Sequence, residues 1–184
     1  MQMQVNSITC PNLFRNALDT GTDPWQRARD DGHLQGRGQE RMKKIFTTER
    51  ELRFGDCDIS GTAYFPSYLD ILNGVNEEFW AVMGFPWHHI IWKERWGTPT
   101  VHLTCDFSKP SLFGETLTFD VGVIRVGRSS VTVRHRISCG DETRWTSTQV
   151  LAASDLDKHC SIAWPDAMRA ALEARLQTRD DLGF

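Results

Sequence analysis

No apolar run in this chain approaches the roughly 20 residues needed to span a bilayer, so no membrane association is expected. The N-terminus lacks a basic stretch followed by an apolar one, which argues against a secretory signal. Cysteines are few: Cys10, Cys57, Cys105, Cys139 and Cys160. Their number is odd and no two have C-x-x-C spacing, so they read as free thiols of a reducing cytoplasm, not a disulfide framework or a zinc site. Charge of one sign is also scarce. The net value of −3 leaves no basic footprint for nucleic acid. There is no G-x-S-x-G elbow to present a serine nucleophile. Gly36-Arg37-Gly38 does not complete a dinucleotide fingerprint and follows no strand. His88 and His89 are adjacent, so on a helix they diverge by ~100° and make a poor metal pair. No metal or redox cofactor is implied, and a cytoplasmic protein is expected.

What remains is a globular composition with unusual aromatic content. The 184 residues are 40% hydrophobic and 24% charged, enough for one domain with a sizeable core. Seven tryptophans and ten phenylalanines suit a core, a subunit interface or an aromatic-lined pocket. Residues 1–41 differ from the rest: Gly21-Thr22-Asp23-Pro24 and Arg27-Ala28-Arg29-Asp30-Asp31-Gly32 are polar and carry no period. Such a segment cannot bury enough apolar area to offset its ordering entropy, so a disordered or loosely attached extension is expected. Met42 opens the structured part, residues 42–184. One expectation is that Met42 is the true start; an intact N-terminal peptide in mass spectra of the native protein rejects it.

From Ile45 onward the periods are legible. Phe46, Thr48, Arg50, Leu52 and Phe54 share one face of a predicted strand. Tyr68, Leu72, Val75, Phe79 and Val82 form an apolar stripe on a predicted helix that Pro66 opens and Gly84 stops. Trp87 to Trp96 reads as a short helix or irregular cover. The period then changes to two. Val101, Leu103, Cys105 and Phe107 alternate, and so do Leu117, Phe119, Val121 and Val123 before a slip at Ile124 that predicts a bulge. Val131, Val133, His135 and Ile137 predict the next strand, and Arg144 to Ala153 the last. Pro165 opens a terminal helix carrying Met168, Leu172 and Leu176. One strand, a long helix and four strands joined mostly by short turns predict an α+β domain with an antiparallel sheet.

Between the first strand and the helix lies Gly55-Asp56-Cys57-Asp58-Ile59-Ser60-Gly61-Thr62-Ala63-Tyr64-Phe65-Pro66-Ser67-Tyr68. It puts two carboxylates in a glycine-flanked loop at a helix N-terminus. A carboxylate there can attack a carbonyl or activate water, while free backbone amides hold a developing oxyanion. The loop resembles the signature of the 4-hydroxybenzoyl-CoA thioesterase family of the hotdog fold, approximately G-D-C-D-P-A-G-I-V-[YW]-[FY]-P-N-Y. Gly97-Thr98-Pro99 and Arg134-His135 also resemble the family, so the likeness runs from about Ile45 to Ser154. Ile59 stands where the family usually has proline, and Ser60 where it usually has alanine.

The resemblance implies an antiparallel sheet wrapped around one long helix, and hydrolysis of an acyl-CoA to a carboxylate and coenzyme A. An aryl-CoA such as 4-hydroxybenzoyl-CoA is the leading substrate, with short or branched acyl-CoA as an alternative. It implies that Asp58 is the catalytic carboxylate, as nucleophile or general base, and that the Phe65 backbone N–H polarises the thioester carbonyl. Asp56 is expected to order the loop, and Cys57 to be a small buried residue. Tyr64 and Asn73 are expected beside the acyl group; Arg128, Ser129 and Ser130, at a hairpin turn, are expected near the nucleotide, with help from Arg134 and Arg136. His102 and His135 are expected to be packed or surface histidines. Coenzyme A belongs to the substrate, so no separate cofactor is expected. Subunits of this kind pair edge to edge, which implies a homodimer or homotetramer with shared sites. The rival reading is a non-catalytic acyl-CoA-binding or sensing module on the same fold; a dehydratase lacks a matching Asp/His pair.

Overall fold

The computed structural model describes residues 45–177. The expected N-terminal extension 1–41, the domain start at Met42 and the Cys10 thiol lie outside the described residues. Strand β1 (Phe46–Glu51) is followed by a single 3-10 turn at Phe54–Asp56, then by helix α1 (Phe65–Val82). A helical turn at Trp87–His89 runs into a π-helical turn, Ile90–Glu94. Then come β2 (Trp96–Gly97), β3 (Thr100–Phe107), β4 (Thr116–Val126), β5 (Ser130–Cys139) and β6 (Glu142–Ala152). Two very short strands, β7 (Ser154–Asp155) and β8 (Cys160–Ser161), precede helix α2 (Asp166–Ala174).

The main sheet is antiparallel with order β1-β4-β5-β6-β3, and β2-β7-β8 form a second, small sheet. The period-two residues explain why one face is dry. Leu117, Phe119, Val121 and Val123 of β4, Val131, Val133 and Ile137 of β5, and Trp145 and Leu151 of β6 are all buried. Helix α1 lies on that face. Its Tyr68, Leu72, Val75 and Phe79 join the same apolar cluster, and burying a side chain of this size contributes about 1.5–3 kcal/mol. Ring contacts carry α1 across the sheet: Phe79 meets Phe46 on β1 at 5.8 Å, and Tyr68 meets Trp145 on β6 at 5.5 Å and Phe107 on β3 at 5.3 Å. This is the sheet-around-helix arrangement of the hotdog fold.

Several boundaries differ from the sequence reading. Phe54 leaves the strand face and is 82% exposed, because the chain turns at Phe54–Asp56. Pro66 is the second residue of α1, with Tyr64 as the N-cap. Val82 is exposed, while Trp80 and Asn76 are buried, so the covered stripe is broader than the apolar spacing. The predicted bulge is present as a register shift between Val123 and Arg125. The last long strand begins at Glu142, tied by Lys109 and Arg144, and ends at Ala152. Leu176 lies beyond α2 and bridges to Val123.

Candidate active site

The acidic loop is held by its own short-range bonds. The Asp56 carboxylate accepts from the Arg53 N–H at 2.8 Å, and the Asp56 carbonyl accepts from the Tyr64 N–H at 2.8 Å. Asp56 therefore ties both ends of the loop together. The Asp58 N–H donates to the Thr62 carbonyl at 2.9 Å, and Gly61 closes the turn onto the Asp58 carbonyl at 3.0 Å. Gly61 has φ +77°, a left-handed conformation that costs a side-chain-bearing residue more than glycine. The loop is anchored outward by Ala63 N–H on the Ser111 carbonyl and by Phe113 N–H on the Gly61 carbonyl.

Asp58 is exposed, and its carboxylate is half engaged. Oδ1 accepts from the Ser60 hydroxyl at 2.5 Å and from the Ser60 N–H at 2.8 Å. Oδ2 has no partner among the described residues. The Ser60 hydroxyl, then the Ser60 N–H, hold the Asp58 carboxyl below its usual range, so it is ionised at neutral pH. Burial, reinforced by the charges of Asp56 and Asp58, pushes the Cys57 thiol up. A thiol kept protonated is a poor nucleophile.

Helix α1 begins directly after the returning arm of this loop, at the residue that follows Tyr64. Tyr64 N–H is spent on Asp56, Ser67 N–H is spent on the Tyr64 carbonyl, and Pro66 has no N–H. The Phe65 N–H has no acceptor among the described residues. An unpaired amide in the first turn of an 18-residue helix is an electropositive donor suited to an oxyanion. The Tyr64 and Phe65 rings are both more than half exposed, and Phe65 meets Phe107 at 6.4 Å.

Two turns further along α1, Asn73 lines a pocket of about 370 Å³. The other walls are Trp87, Ile91, Leu156 and the run Gly97-Thr98-Pro99-Thr100. Sequence reasoning found Asn73 and Gly97-Thr98-Pro99 but not Trp87, Ile91, Thr100 or Leu156, since nothing local marks residues gathered from separate segments. His135 is a packed histidine: it is fully buried and bonded to Asn76 and Ser147, while His102 is exposed on β3.

Arg128, Ser129 and Ser130 lie at the β4–β5 turn, where the Arg128 carbonyl accepts from Trp164 N–H and the Ser129 carbonyl from Ala153 N–H. Arg136 is paired with Asp120 at 3.1 Å. The structure does not bring this turn to Asp58 within one chain. The acidic loop is laced to Ser111 and to Leu112, just before β4 begins. Arg128 follows the other end of β4. At about 3.3 Å per residue, the 11-residue strand separates them by roughly 30 Å. The pocket shares the Arg128 end, because Ser130 pairs with Ala152, whose N–H donates to the Pro99 carbonyl.

A family model described as the thioesterase-like superfamily matches residues 52–172. The chain is 27% identical over 99 residues to a 4-hydroxybenzoyl-CoA thioesterase of Pseudomonas sp. (strain CBS-3), covering 53% of this chain and 70% of the relative. It is 26% identical over 133 residues to a 1,4-dihydroxy-2-naphthoyl-CoA hydrolase of Synechocystis sp., covering 72% and 92%. Among solved structures, a thioesterase superfamily protein from Jannaschia sp. CCS1 superposes with a TM-score of 0.69 at 24% identity, covering 77% of this chain and all of that one, 100%. With a family match that takes in the acidic loop, α1 and every strand of the main sheet after β1, the chain belongs to the thioesterase-like superfamily and is a thioester hydrolase of the hotdog fold.

Proposed function

We propose that the protein hydrolyses an aromatic acyl-CoA to the free acid and coenzyme A, with Asp58 as the catalytic carboxylate. The observation that carries this reading is the pairing of an ionised, half-free Asp58 carboxylate with an unpaired Phe65 N–H at the N-terminus of α1. A thioester is already activated, so the protein need only deliver oxygen and steady the oxyanion. As nucleophile, Asp58 Oδ2 attacks the carbonyl carbon, the C–S bond breaks, and water then opens the mixed anhydride. As base, Asp58 takes a proton from water as the water attacks. Both routes end with the acid and the protonated thiol, and both use the Phe65 amide. The aromatic acyl class is supported by the relatives named for 4-hydroxybenzoyl-CoA and 1,4-dihydroxy-2-naphthoyl-CoA, and by the Trp87 wall of the pocket that Asn73 lines. Tyr64 flanks the thioester, and Arg128, Ser129 and Ser130 meet the nucleotide phosphates.

The roughly 30 Å between the acidic loop and the Arg128 turn supports a homodimer. Strand β3 is an edge of the main sheet, and Val101 and Phe107 on it are exposed. β3 runs from the pocket end, Thr100, to the acidic-loop end, where Phe107 touches Phe65. Antiparallel pairing of two β3 edges sets the acidic loop of one protomer against the pocket and Arg128 turn of its partner.

The test is turnover of an aryl- and alkyl-CoA series by wild type and Asp58→Asn. The variant should lose at least ~10³-fold in kcat while calorimetry still detects acyl-CoA binding. Unchanged turnover removes Asp58 from the chemistry. Absence of turnover by wild type, with binding intact, favours the non-catalytic module. In single turnover with ¹⁸O water, label appears in the Asp58 carboxylate only along the nucleophilic route.

A further inference from the structure

The core face of β5 and β6 carries polar side chains where the alternation calls for hydrocarbon. His135, Ser147, Gln149 and Asn76 of α1 are all buried. Buried polar groups are costly unless paired, and these are joined head to tail. The Ser147 hydroxyl lies 2.9 Å from His135 Nδ1, and His135 Nε2 lies 3.0 Å from Asn76 Oδ1. Asn76 Nδ2 donates to Gln149 Oε1 at 2.8 Å, and Gln149 Nε2 donates to Thr100 Oγ1 at 2.7 Å. With the amides in that order, the assigned tautomer of His135 has its proton on Nε2 and accepts from Ser147 at Nδ1. Every member then donates toward Thr100.

The chain of bonds leaves the core at a place where a ligand can meet it. Thr100 is exposed and lines the pocket with Asn73, Trp87, Ile91, Pro99 and Leu156. Its oxygen accepts a hydrogen bond from the Gln149 amide, so its own hydroxyl proton is turned away from the core. The apolar walls suit a flat ring. Trp87 lines the same wall with its ring, while its indole Nε1–H is buried and has no partner among the described residues.

We propose that Thr100 is a specificity-determining residue that donates a hydrogen bond to an oxygen on the ring of the acyl group, and that Gln149, Asn76, His135 and Ser147 are positioning residues that fix the direction of that donor. The inference rests on the acyl-CoA reading above and narrows the substrate to oxygen-bearing aromatic acyl groups. An unsubstituted ring leaves the donor unpaired in a partly desolvated pocket, which penalises it.

The experiment measures kcat/KM for monohydroxylated benzoyl-CoA isomers against benzoyl-CoA, in wild type, Thr100→Val, Thr100→Ser and Gln149→Glu. Wild type should favour the best hydroxylated isomer by about tenfold or more. Thr100→Val should bring that ratio close to one, and Thr100→Ser should restore it. Gln149→Glu keeps an acceptor for Asn76 but replaces the amide donor with an acceptor. It pulls the Thr100 proton inward, and the ratio should collapse although no pocket atom has been removed. A purely structural Gln149 would lower both substrates together and leave the ratio intact, which would overturn the positioning role. A ratio that survives Thr100→Val would overturn the whole proposal. Calorimetry with 4-hydroxybenzoate and benzoate separates the two readings. Thr100-dependent preference in binding without hydrolysis of any thioester sinks the enzymatic reading and sustains this one; hydrolysis with Thr100-independent preference does the reverse.

Discussion

Ser60 places its hydroxyl and its N–H on the same oxygen of Asp58, which orients that carboxylate and favours its ionised form. The family pattern has alanine at this position, which can supply only the N–H. The hydroxyl bond favours the ionised form; with Asp58 as the proposed catalytic carboxylate, the acidic limb of activity is expected lower than an ordinary carboxylate would put it. Ser60→Ala should shift the acidic limb of the kcat/KM profile to higher pH, towards the ordinary carboxylate range, and leave the neutral plateau within about threefold. An unmoved limb means that Ser60 does not tune the reacting group. Ile59 next to it is fully exposed and makes no packing contribution that explains its replacing proline.

At the scale of elements, the loop-to-helix junction was legible because its determinants are local. Glycines for the turn, acceptors for backbone N–H groups and a proline in the first helical turn all act within a few residues. The apolar stripe of α1 was legible only in part. Val82 carries the right spacing but is left more than half exposed, and Trp80 is buried against Trp164 at 6.0 Å, a partner brought from far along the chain. The polar ladder joins α1 to β5 and β6 through His135, Asn76 and Gln149. Burial pushes the His135 imidazole down to about 3, from an ordinary value of 6.5. Between those values the unfolded chain binds a proton that the folded chain refuses, so stability rises with pH across that window and is lost on acidification. The slope from one proton is ~1.4 kcal/mol per pH unit. Urea unfolding at several pH values between 4 and 6.5 should give a steeper slope for wild type than for His135→Leu, whatever the variant's stability at neutral pH. Equal slopes would mean that His135 is protonated in the folded state.

For the whole molecule, the separation of the acidic loop from the Arg128 turn makes a prediction about subunits. If each site takes Asp58 from one protomer and Arg128 from its partner, two defective variants can complement each other. Asp58→Asn and Arg128→Glu, each weak alone, should recover about a quarter of wild-type activity after mixing and subunit exchange, since half the dimers are mixed and each holds one intact site. No recovery, with exchange verified, places the whole site within one chain. A charge at the β3 edge, Val101→Asp, should shift sedimentation towards a smaller species and lower activity with it; an active monomer contradicts a shared site.

The amino-acid sequence by itself determined the long elements and the make-up of the loop: the strands from period two, α1 from its apolar spacing and flanking Pro66 and Gly84, and an acidic turn closed by bonds among near neighbours. These depend on interactions between near neighbours, which a linear pattern records. Only the tertiary structure decided which residues meet. It put Thr100, Trp87 and Leu156 beside Asn73, buried His135 against an asparagine 59 residues away, and set Arg128 at the opposite end of the sheet from Asp58. Those outcomes follow from strand order and from packing the helix on the sheet, where contacts join distant segments and leave no periodic mark.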